Sequence, residues 1–189
     1  CKDSNITCFA SVFDESGVDF LESLNAPAFK IASFENTHLP LIKKVAQTKK
    51  PIIISSGIIS DEELEESINC IINEGNKKIA ILKCTSYYPA KHEDLNLNAI
   101  RHLKDKFPKF EIGYSDHSLG ISASIASVAL GATIIEKHFT LSKTKNTLDG
   151  KFSADENEMF QIRSEIDNCY KSIGLSKLFM SKNEKKSLI

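Results

Sequence analysis

Short runs of apolar, mostly β-branched residues alternate with amphipathic stretches along the chain, and this rhythm constrains the fold more than any other feature. The runs begin at residues 7, 29, 51, 78, 111 and 133, so successive starts lie 22 to 33 residues apart. This is the spacing of βα units. Most runs are too apolar for strands with one face in water, which favours a parallel sheet buried on both faces. The predicted strands are Thr7–Phe13, Phe29–Ser33, Pro51–Ser56, Lys78–Thr85, Glu111–Tyr114 and Thr133–His138.

The stretches between the runs carry helical patterns. Two capping boxes are predicted, Ser60–Glu63 before the third helix and Ser153–Glu156 before a last helix that extends to about Ser172. Small residues from Ser122 to Ala129 predict a tightly packed fifth helix. The apolar residues that mark the first four helices are Phe20, Leu21 and Leu24; Leu41, Ile42 and Val45; Leu64, Ile68, Ile71 and Ile72; and Leu97, Ile100, Leu103 and Phe107.

An open doubly wound sheet and a (β/α)8 barrel share this rhythm. No GxGxxG or GxxxxGK[ST] motif follows a predicted strand, which argues against the nucleotide-binding forms of the open sheet. Eight units close a barrel and six are present, so an open doubly wound α/β sheet and an incomplete (β/α)8 TIM barrel over residues 1–174 both remain possible at this point. Residues 175–189 are interpreted as a linker. The start at Cys1, without Met or a signal-peptide pattern, suggests a piece cut from a longer protein.

Composition narrows the class of protein. The hydrophobic fraction of 41% and charged fraction of 26% are typical of a globular domain. A net charge of -1 gives no overall attraction to nucleic acid or to an anionic membrane, and no apolar run approaches the ~20 residues that span a bilayer. The 5 cysteines contain no CxxC pair and are odd in number, which predicts reduced thiols in a cytoplasmic protein.

Polar residues collect at the carboxyl ends of all six predicted strands. In a parallel barrel these ends form one face, where active sites are built. The sequence therefore predicts a single site composed from Ser11; Lys30, Ser33 and Glu35; Ser55, Ser56 and Gly57; Lys83, Thr85, Ser86 and Tyr88; Ser115, Asp116 and His117; and Glu136, Lys137 and His138.

Two types of side chain within this set suggest specific chemistry. His117 and His138 end consecutive strands, and two neighbouring imidazoles suit a divalent metal with positions open to water and substrate. Lys30, on an otherwise apolar strand, fits a Schiff base or a fixed cation for a phosphate or carboxylate, and the nearby serine hydroxyls favour the anion site. Ser56 and Ser118 fit a loop start or helix cap equally well. No role is predicted for His38, His92 and His102.

Five ordered motifs resemble the N-acetylneuraminate (sialic acid) synthase family over essentially the whole chain. Members are (β/α)8 barrels that join phosphoenolpyruvate to an amino-sugar aldehyde, releasing phosphate and forming a nine-carbon 2-keto acid. The resemblance therefore implies a cytoplasmic, metal-dependent transferase that cleaves the C–O bond of phosphoenolpyruvate. The motifs are Phe29–Glu35, Pro51–Gly57, Cys84–Ala90, Gly113–Gly120 and Ile135–Thr140.

The resemblance also implies roles for individual residues. His117 and His138 would bind Mn2+ or Mg2+, and Glu35 would orient or deprotonate the attacking water. Asp149 would contact the sugar, and Tyr88 would line the pocket. Many members have Thr in place of Ser11 and Asn in place of Ser86, and both replacements keep a hydrogen-bonding group. The residues that would hold phosphoenolpyruvate are Ser11, Lys30, Ser33, Ser55, Ser86 and Ser115.

Two local signatures favour the pseudaminic acid branch over the neuraminate and legionaminate branches. Ala32–Glu35 carries Phe34 where neuraminate synthases usually have Gly, and Leu148–Ser153 lacks their Gly-Pro-Asp-His pattern. The expected sugar is then a 2,4-diacetamido-2,4,6-trideoxy-hexose.

The chain departs from the family at both ends. Family barrels begin with two further βα units that carry a second lysine and an acidic residue of the site, and a small antifreeze-like domain follows the linker. That domain is thought to close the sugar pocket of a partner in a homodimer. We therefore expect the 189-residue chain alone to be inactive. The alternatives are a metal-dependent aldolase or hydrolase on the same barrel, and a non-catalytic remnant that only binds ligand.

Overall fold

Six parallel strands form a single sheet in which the spatial order follows the chain order. The fold is taken from a computed structural model that describes residues 1–143 and 147–187. Every adjacent pair is parallel, so each connection must cross from one end of the sheet to the other. The strands are β1 (Ala10–Ser11), β2 (Phe29–Ile31), β3 (Ile52–Ser55), β4 (Ile79–Cys84), β5 (Glu111–Asp116) and β6 (Ile134–Lys137).

One helix follows each strand, as the sequence rhythm predicts. Short 3-10 turns lie at Lys2–Ser4 and His92–Asp94. No helix in the described ranges is long and apolar enough to cross a membrane. The helices are α1 (Glu15–Ser23), α2 (Leu39–Gln47), α3 (Asp61–Asn73), α4 (Ala99–Lys106), α5 (Ser122–Ala129), α6 (Glu156–Ile173) and the exposed α7 (Lys182–Lys186).

The sheet curls into a half-barrel. Lys30 on β2 and Glu136 on β6 lie four strand positions apart, which would separate them by about 19 Å in a flat sheet at ~4.8 Å per step. Their side chains nevertheless meet, with Lys30 Nζ 3.6 Å from Glu136 Oε1. The prediction of an α/β fold with incomplete barrel geometry is therefore confirmed.

The hydrophobic core lies between the convex side of the sheet and the helices. Successive strand residues point to opposite faces, so Phe29 and Ile31 are buried in the core while Lys30 between them faces the concave side. The predicted apolar stripes of α2 and α3 are largely confirmed, since the core contains Leu41, Ile42, Val45, Leu64, Ile68 and Ile71.

Helix α1 packs on the core through a residue that the sequence pattern did not single out. The Asp14 carboxylate accepts the Gly17 N–H at 2.7 Å and fixes where the helix begins. This start places Val18 in the core, whereas Phe20 and Leu24 are 61% and 62% exposed. The helix predicted from Phe20, Leu21 and Leu24 is therefore confirmed, and of these residues Leu21 packs against the core.

Three predicted boundaries also shift. The capping box of α6 uses Asp155 and Glu158, two residues later than predicted, because the Ser153 hydroxyl instead donates to the Asp149 carbonyl at 2.7 Å. Strand β5 continues to Asp116, beyond the predicted end at Tyr114. The two-residue β1 is much shorter than the predicted run Thr7–Phe13. The other capping box, Ser60 with Glu63, is confirmed.

Candidate functional site

A pocket of about 350 Å³ lies at the carboxyl ends of the strands, on the concave side of the half-barrel. All six strands contribute to it directly or through the residues that follow them. The structure thus brings together ten of the residues predicted for the site, eight of them with an assigned role, together with Ala32 and Cys84, which were not predicted. The lining residues are Ser11, Lys30, Ala32, Ser33, Ser55, Cys84, Tyr88, Ser115, His117, Glu136, Lys137 and His138.

The base of the pocket is a linked group of one cation, two hydroxyls and one carboxylate. The Lys30 ammonium donates to the Ser55 hydroxyl at 2.7 Å and lies 3.6 Å from the Glu136 carboxylate. The Ser115 hydroxyl donates to the same carboxylate oxygen at 2.6 Å. The Lys30 side chain is only 8% exposed, so its charge acts in a medium of lower polarity than water. This arrangement is suited to binding a small anion.

The two predicted histidines lie side by side, with ring centroids 5.3 Å apart. The His117 Nδ1 lies 3.0 Å from the Thr85 carbonyl, and because a carbonyl can only accept, Nδ1 carries the proton. In the neutral form of the His117 ring, Nε2 therefore holds the lone pair that a metal needs. Burial and the neighbouring charge of His117 lower the pKa of His138, which favours its neutral, metal-binding form.

A buried thiol lies beside this histidine pair. Cys84 Sγ is 3.7 Å from His117 Nδ1. Burial opposes ionisation of the thiol, but hydrogen bonds from its neighbours, His117 first, outweigh burial and lower the pKa of Cys84. In the same way, burial opposes the charged ring of His117, but hydrogen bonds to Cys84 and Thr85 outweigh it and raise the pKa of His117.

The residues present can supply only part of a metal coordination sphere. Within residues 1–143 and 147–187, no cluster of three or more His, Cys, Asp or Glu side chains could hold an ion. The described residues would therefore supply the two imidazoles and leave the other coordination positions open. This donor set fits a catalytic ion with open positions and does not fit a closed structural zinc site.

Aromatic rings form one wall of the pocket. The Tyr88 ring lies 4.2 Å from the His117 ring and 5.5 Å from that of Phe152, and Phe152 lies 5.0 Å from His138, all measured between centroids. Asp149 Oδ2 is 3.5 Å from His138 Nδ1, in an adjoining pocket of about 690 Å³. Phe152 had no role predicted from the sequence, although it belongs to the Leu148–Ser153 signature.

Several predicted site residues do not line the pocket. Besides Asp149, these are Glu35, Ser56, Gly57, Lys83, Thr85, Ser86 and Asp116. Ser86 faces a neighbouring pocket of about 460 Å³, although its hydroxyl remains 3.8 Å from Cys84 Sγ. An added Cβ at Gly57 would collide with the hydroxyls of Ser86 and Ser33, so this glycine lets the two converge. Glu35 lies in the turn after β2, and its Oε2 is buried without a hydrogen-bond partner among the described residues.

A buried ion pair lies behind the histidines, on the helix side of the same strand ends. Lys137 Nζ is 3.0 Å from Asp116 Oδ2, and the two side chains are 2% and 0% exposed. Asp116 Oδ1 accepts the Ser118 N–H and hydroxyl at 2.9 and 2.7 Å, and Oδ2 accepts the Ser124 hydroxyl at 2.6 Å. The Lys137 ammonium also donates to the Ser118 carbonyl at 2.9 Å. The sequence analysis predicted Asp116 and Lys137 at the strand ends but did not predict that they form a buried ion pair.

A larger groove, of about 670 Å³, lies between β6, α5 and α6. Its lining is mainly apolar, and Lys137, Arg163 and Asp167 in that lining are each in an ion pair. Lys137 binds Asp116, and Arg163 forms an exposed pair with Asp167 at 2.9 Å. The convergent polar chemistry therefore lies in the smaller pocket at the strand ends.

A parallel half-barrel with a buried lysine, serine hydroxyls and two imidazoles at its strand ends defines the class as a candidate enzyme of barrel type. The NeuB family model matches residues 1–177, and the chain belongs to the NeuB family.

Individual relatives agree with this assignment. N,N'-diacetyllegionaminic acid synthase of Campylobacter jejuni is 42% identical over 189 residues, covering 99% of this chain and 56% of the relative. Pseudaminic acid synthase of the same species is 41% identical over 177 residues, covering 94% and 51%. The crystal structure of the N-acetylneuraminic acid synthetase from Leptospira borgpetersenii, in complex with citrate, matches with a TM-score of 0.92 and 34% identity, covering 99% and 65%. The chain spans about half the length of the curated relatives it matches.

Proposed function

We propose that this chain carries catalytic barrel residues of a synthase that condenses phosphoenolpyruvate with an amino-sugar aldehyde. The observation that carries the proposal is the pocket in which Lys30, Ser55 and Ser115 converge beside His117 and His138. Membership of the NeuB family supports it. The enzyme is expected in the cytoplasm, as a homodimer when full length.

The basic and hydroxyl groups would bind phosphoenolpyruvate through its phosphate and carboxylate. Lys30 supplies a fixed positive charge at the base of the pocket, and fixed donors stabilise charge that develops on the leaving phosphate. In the reaction, C3 of phosphoenolpyruvate forms a bond to the aldehyde carbon, water adds at C2, and the C2–O bond breaks to release phosphate. The proposed anion-binding residues are Ser11, Lys30, Ser33, Ser55, Ser86 and Ser115.

His117 and His138 would hold Mn2+ or Mg2+, which when bound supplies Lewis-acid polarisation of the sugar carbonyl. The Thr85 carbonyl fixes the His117 ring and its tautomer, leaving Nε2 as the ligand atom. Glu35 is proposed to orient or deprotonate the attacking water, and its unpartnered buried oxygen is a suitable acceptor. Glu35 does not line the pocket, so in this role it would contact the water from beside the pocket.

The proposed sugar is a 2,4-diacetamido-2,4,6-trideoxy-hexose, giving pseudaminic acid. Phe34, in the Ala32–Glu35 signature, and the Leu148–Ser153 segment support this branch, and the latter places Asp149 beside His138 and Phe152 against Tyr88. Identities of 41% and 42% to a pseudaminic and a legionaminic acid synthase do not separate the two products. A rate comparison on the complete enzyme between a 6-deoxy diacetamido-altrose and N-acetylmannosamine tests the pseudaminate branch against the neuraminate branch. Preference for N-acetylmannosamine would contradict the pseudaminate proposal.

The anion and metal sites are tested together by calorimetric titration of phosphoenolpyruvate with and without Mn2+. We expect the metal to tighten phosphoenolpyruvate binding, and we expect Lys30→Met to weaken it by about 100-fold, a loss typical of a buried charge-assisted contact. Lys44→Met is the matched control, because Lys44 pairs with Asp19 on the outer surface. A metal-dependent aldolase would show no coupled binding of phosphoenolpyruvate.

A further inference from the structure

The anion-binding base of the pocket already contains an anion, the carboxylate of Glu136. Glu136 lies directly opposite Ser115 in the register of β5 and β6 and accepts the Ser115 hydroxyl at 2.6 Å. The same oxygen lies 3.6 Å from the Lys30 ammonium. Two of the groups proposed to bind phosphoenolpyruvate are thus turned toward a side chain of the protein itself.

The carboxylate of Glu136 is stable in this position only while the pocket holds no other anion. A phosphate or carboxylate bound to Lys30 and Ser115 would lie within a few ångströms of Glu136, and like charges at that distance repel. Lys30 is nearly buried, but the Glu136 side chain is 38% exposed, so the carboxylate has room to turn toward water. The contact between Lys30 and Glu136 is also longer than a direct hydrogen bond.

We propose that Glu136 is an internal counter-ion that an incoming anion must displace, and that it returns to Lys30 and Ser115 when phosphate leaves. This inference rests on the proposed function and adds a positioning residue to it. A ligand with both a phosphate and a carboxylate can displace Glu136 and still gain contacts elsewhere in the pocket. Inorganic phosphate, with fewer contacts, is held weakly. Glu136 therefore favours the doubly anionic substrate over the released product.

The test is a calorimetric titration of inorganic phosphate, and separately of phosphoenolpyruvate, into the chain and its Glu136→Gln variant. The amide keeps an acceptor for Ser115 but removes the negative charge. We expect phosphate to bind about 10-fold more tightly to Glu136→Gln, since a partly exposed charge contributes a modest energy. Phosphoenolpyruvate should gain less, so the preference for substrate over product narrows. A residue with only a structural role would weaken binding when replaced.

Two further variants keep the result interpretable. Glu74→Gln makes the same change in net charge at the end of α3, where Glu74 pairs with Lys43, and should leave phosphate binding unchanged. Glu136→Ala should also tighten phosphate binding, although the Ser115 hydroxyl then loses its partner. If the wild-type chain binds phosphate but both Glu136 variants bind it equally or more weakly, the counter-ion inference is wrong. If wild type and Lys30→Met bind neither ligand, the anion site itself is wrong.

Discussion

Two ion pairs lie on opposite sides of the same strand ends, and they differ in almost every physical respect. On the concave side, Lys30 and Glu136 are 3.6 Å apart, and Glu136 is 38% exposed. On the helix side, Asp116 and Lys137 are 3.0 Å apart and almost completely buried. We call Asp116 with Lys137 the outer pair and Lys30 with Glu136 the inner pair. Both carboxylate oxygens of Asp116 accept hydrogen bonds in the outer pair, whereas the partly exposed Glu136 of the inner pair can turn away from Lys30.

The difference indicates a division of roles between scaffold and site. A buried pair tolerates dehydration only when each charge is fully hydrogen-bonded, and once formed it is rigid. A longer, partly hydrated pair can exchange its partner for a ligand. Asp116 immediately precedes His117, and Lys137 immediately precedes His138, so the rigid outer pair fixes the strand ends from which the two imidazoles project.

The largest expected effect comes from breaking the outer pair. Asp116→Asn leaves the Lys137 ammonium buried without a countercharge, which is expected to lower the free energy of unfolding by about 3–5 kcal/mol. Urea unfolding followed by circular dichroism measures the change. The double variant Asp116→Asn/Lys137→Met removes both charges and should recover part of the loss. Asp167→Asn, in the exposed pair with Arg163, serves as the control and should leave the midpoint unchanged. Equal midpoints for Asp116→Asn and this control would show that the outer pair is not a scaffold.

A smaller effect is expected from a substitution on the concave side of the sheet, and it concerns ligand binding and not stability. His117→Ala removes one of two proposed protein ligands and should weaken Mn2+ binding by about 100-fold, at the upper end of losses seen even for outer-shell partners. Titration calorimetry with Mn2+ measures the change. His102→Ala is the matched control, because that ring is exposed and pairs with Asp61 on the outer surface. Unchanged Mn2+ affinity in His117→Ala would refute the metal site.

The smallest of these effects is expected from filling the space that Gly57 leaves beside Ser86 and Ser33. Gly57→Ala places a methyl group against the hydroxyls of Ser86 and Ser33, both proposed ligands of phosphoenolpyruvate. The hydroxyls must shift, and we expect phosphoenolpyruvate affinity to fall about 10-fold. Gly17→Ala on α1 is the control, since its nearest neighbour, Asp14 Oδ1, would lie at an ordinary 3.5 Å. Full affinity in Gly57→Ala would show that the convergence of these hydroxyls is not needed.

Sequence reasoning identified the inner face better than the outer one. Inward residues such as Lys30 and Ser55 stand out because a polar residue interrupts an apolar strand. Asp116 lay beyond the predicted end of β5 at Tyr114, so the alternation of that strand could not be extended to it. Lys137 lay within the predicted sixth strand, but its partner could not be identified without the position of Asp116. Their role depends on contacts with Ser118 and Ser124, which no strand pattern contains.

Residues in the turns beyond the strands were the least predictable. The period of a strand no longer applies there, and the backbone of each turn determines where the side chain lies. This is why Glu35 and Ser86 lie outside the pocket lining, although their neighbours Ser33 and Cys84 line it.

Residues of the outer ion pair are direct chain neighbours of the histidines, which restricts where the chain can gain or lose a residue. Each strand end presents one residue to the helices and the next to the pocket, as Asp116 and His117 do. Deleting a single residue within β5 would reverse this alternation, moving a carboxylate into the pocket and an imidazole into the core. Insertions and deletions of a single residue should therefore not be tolerated within β5 and β6. They should be tolerated in surface connections such as the turn around Gly120, where an added Cβ would meet no atom within 4 Å.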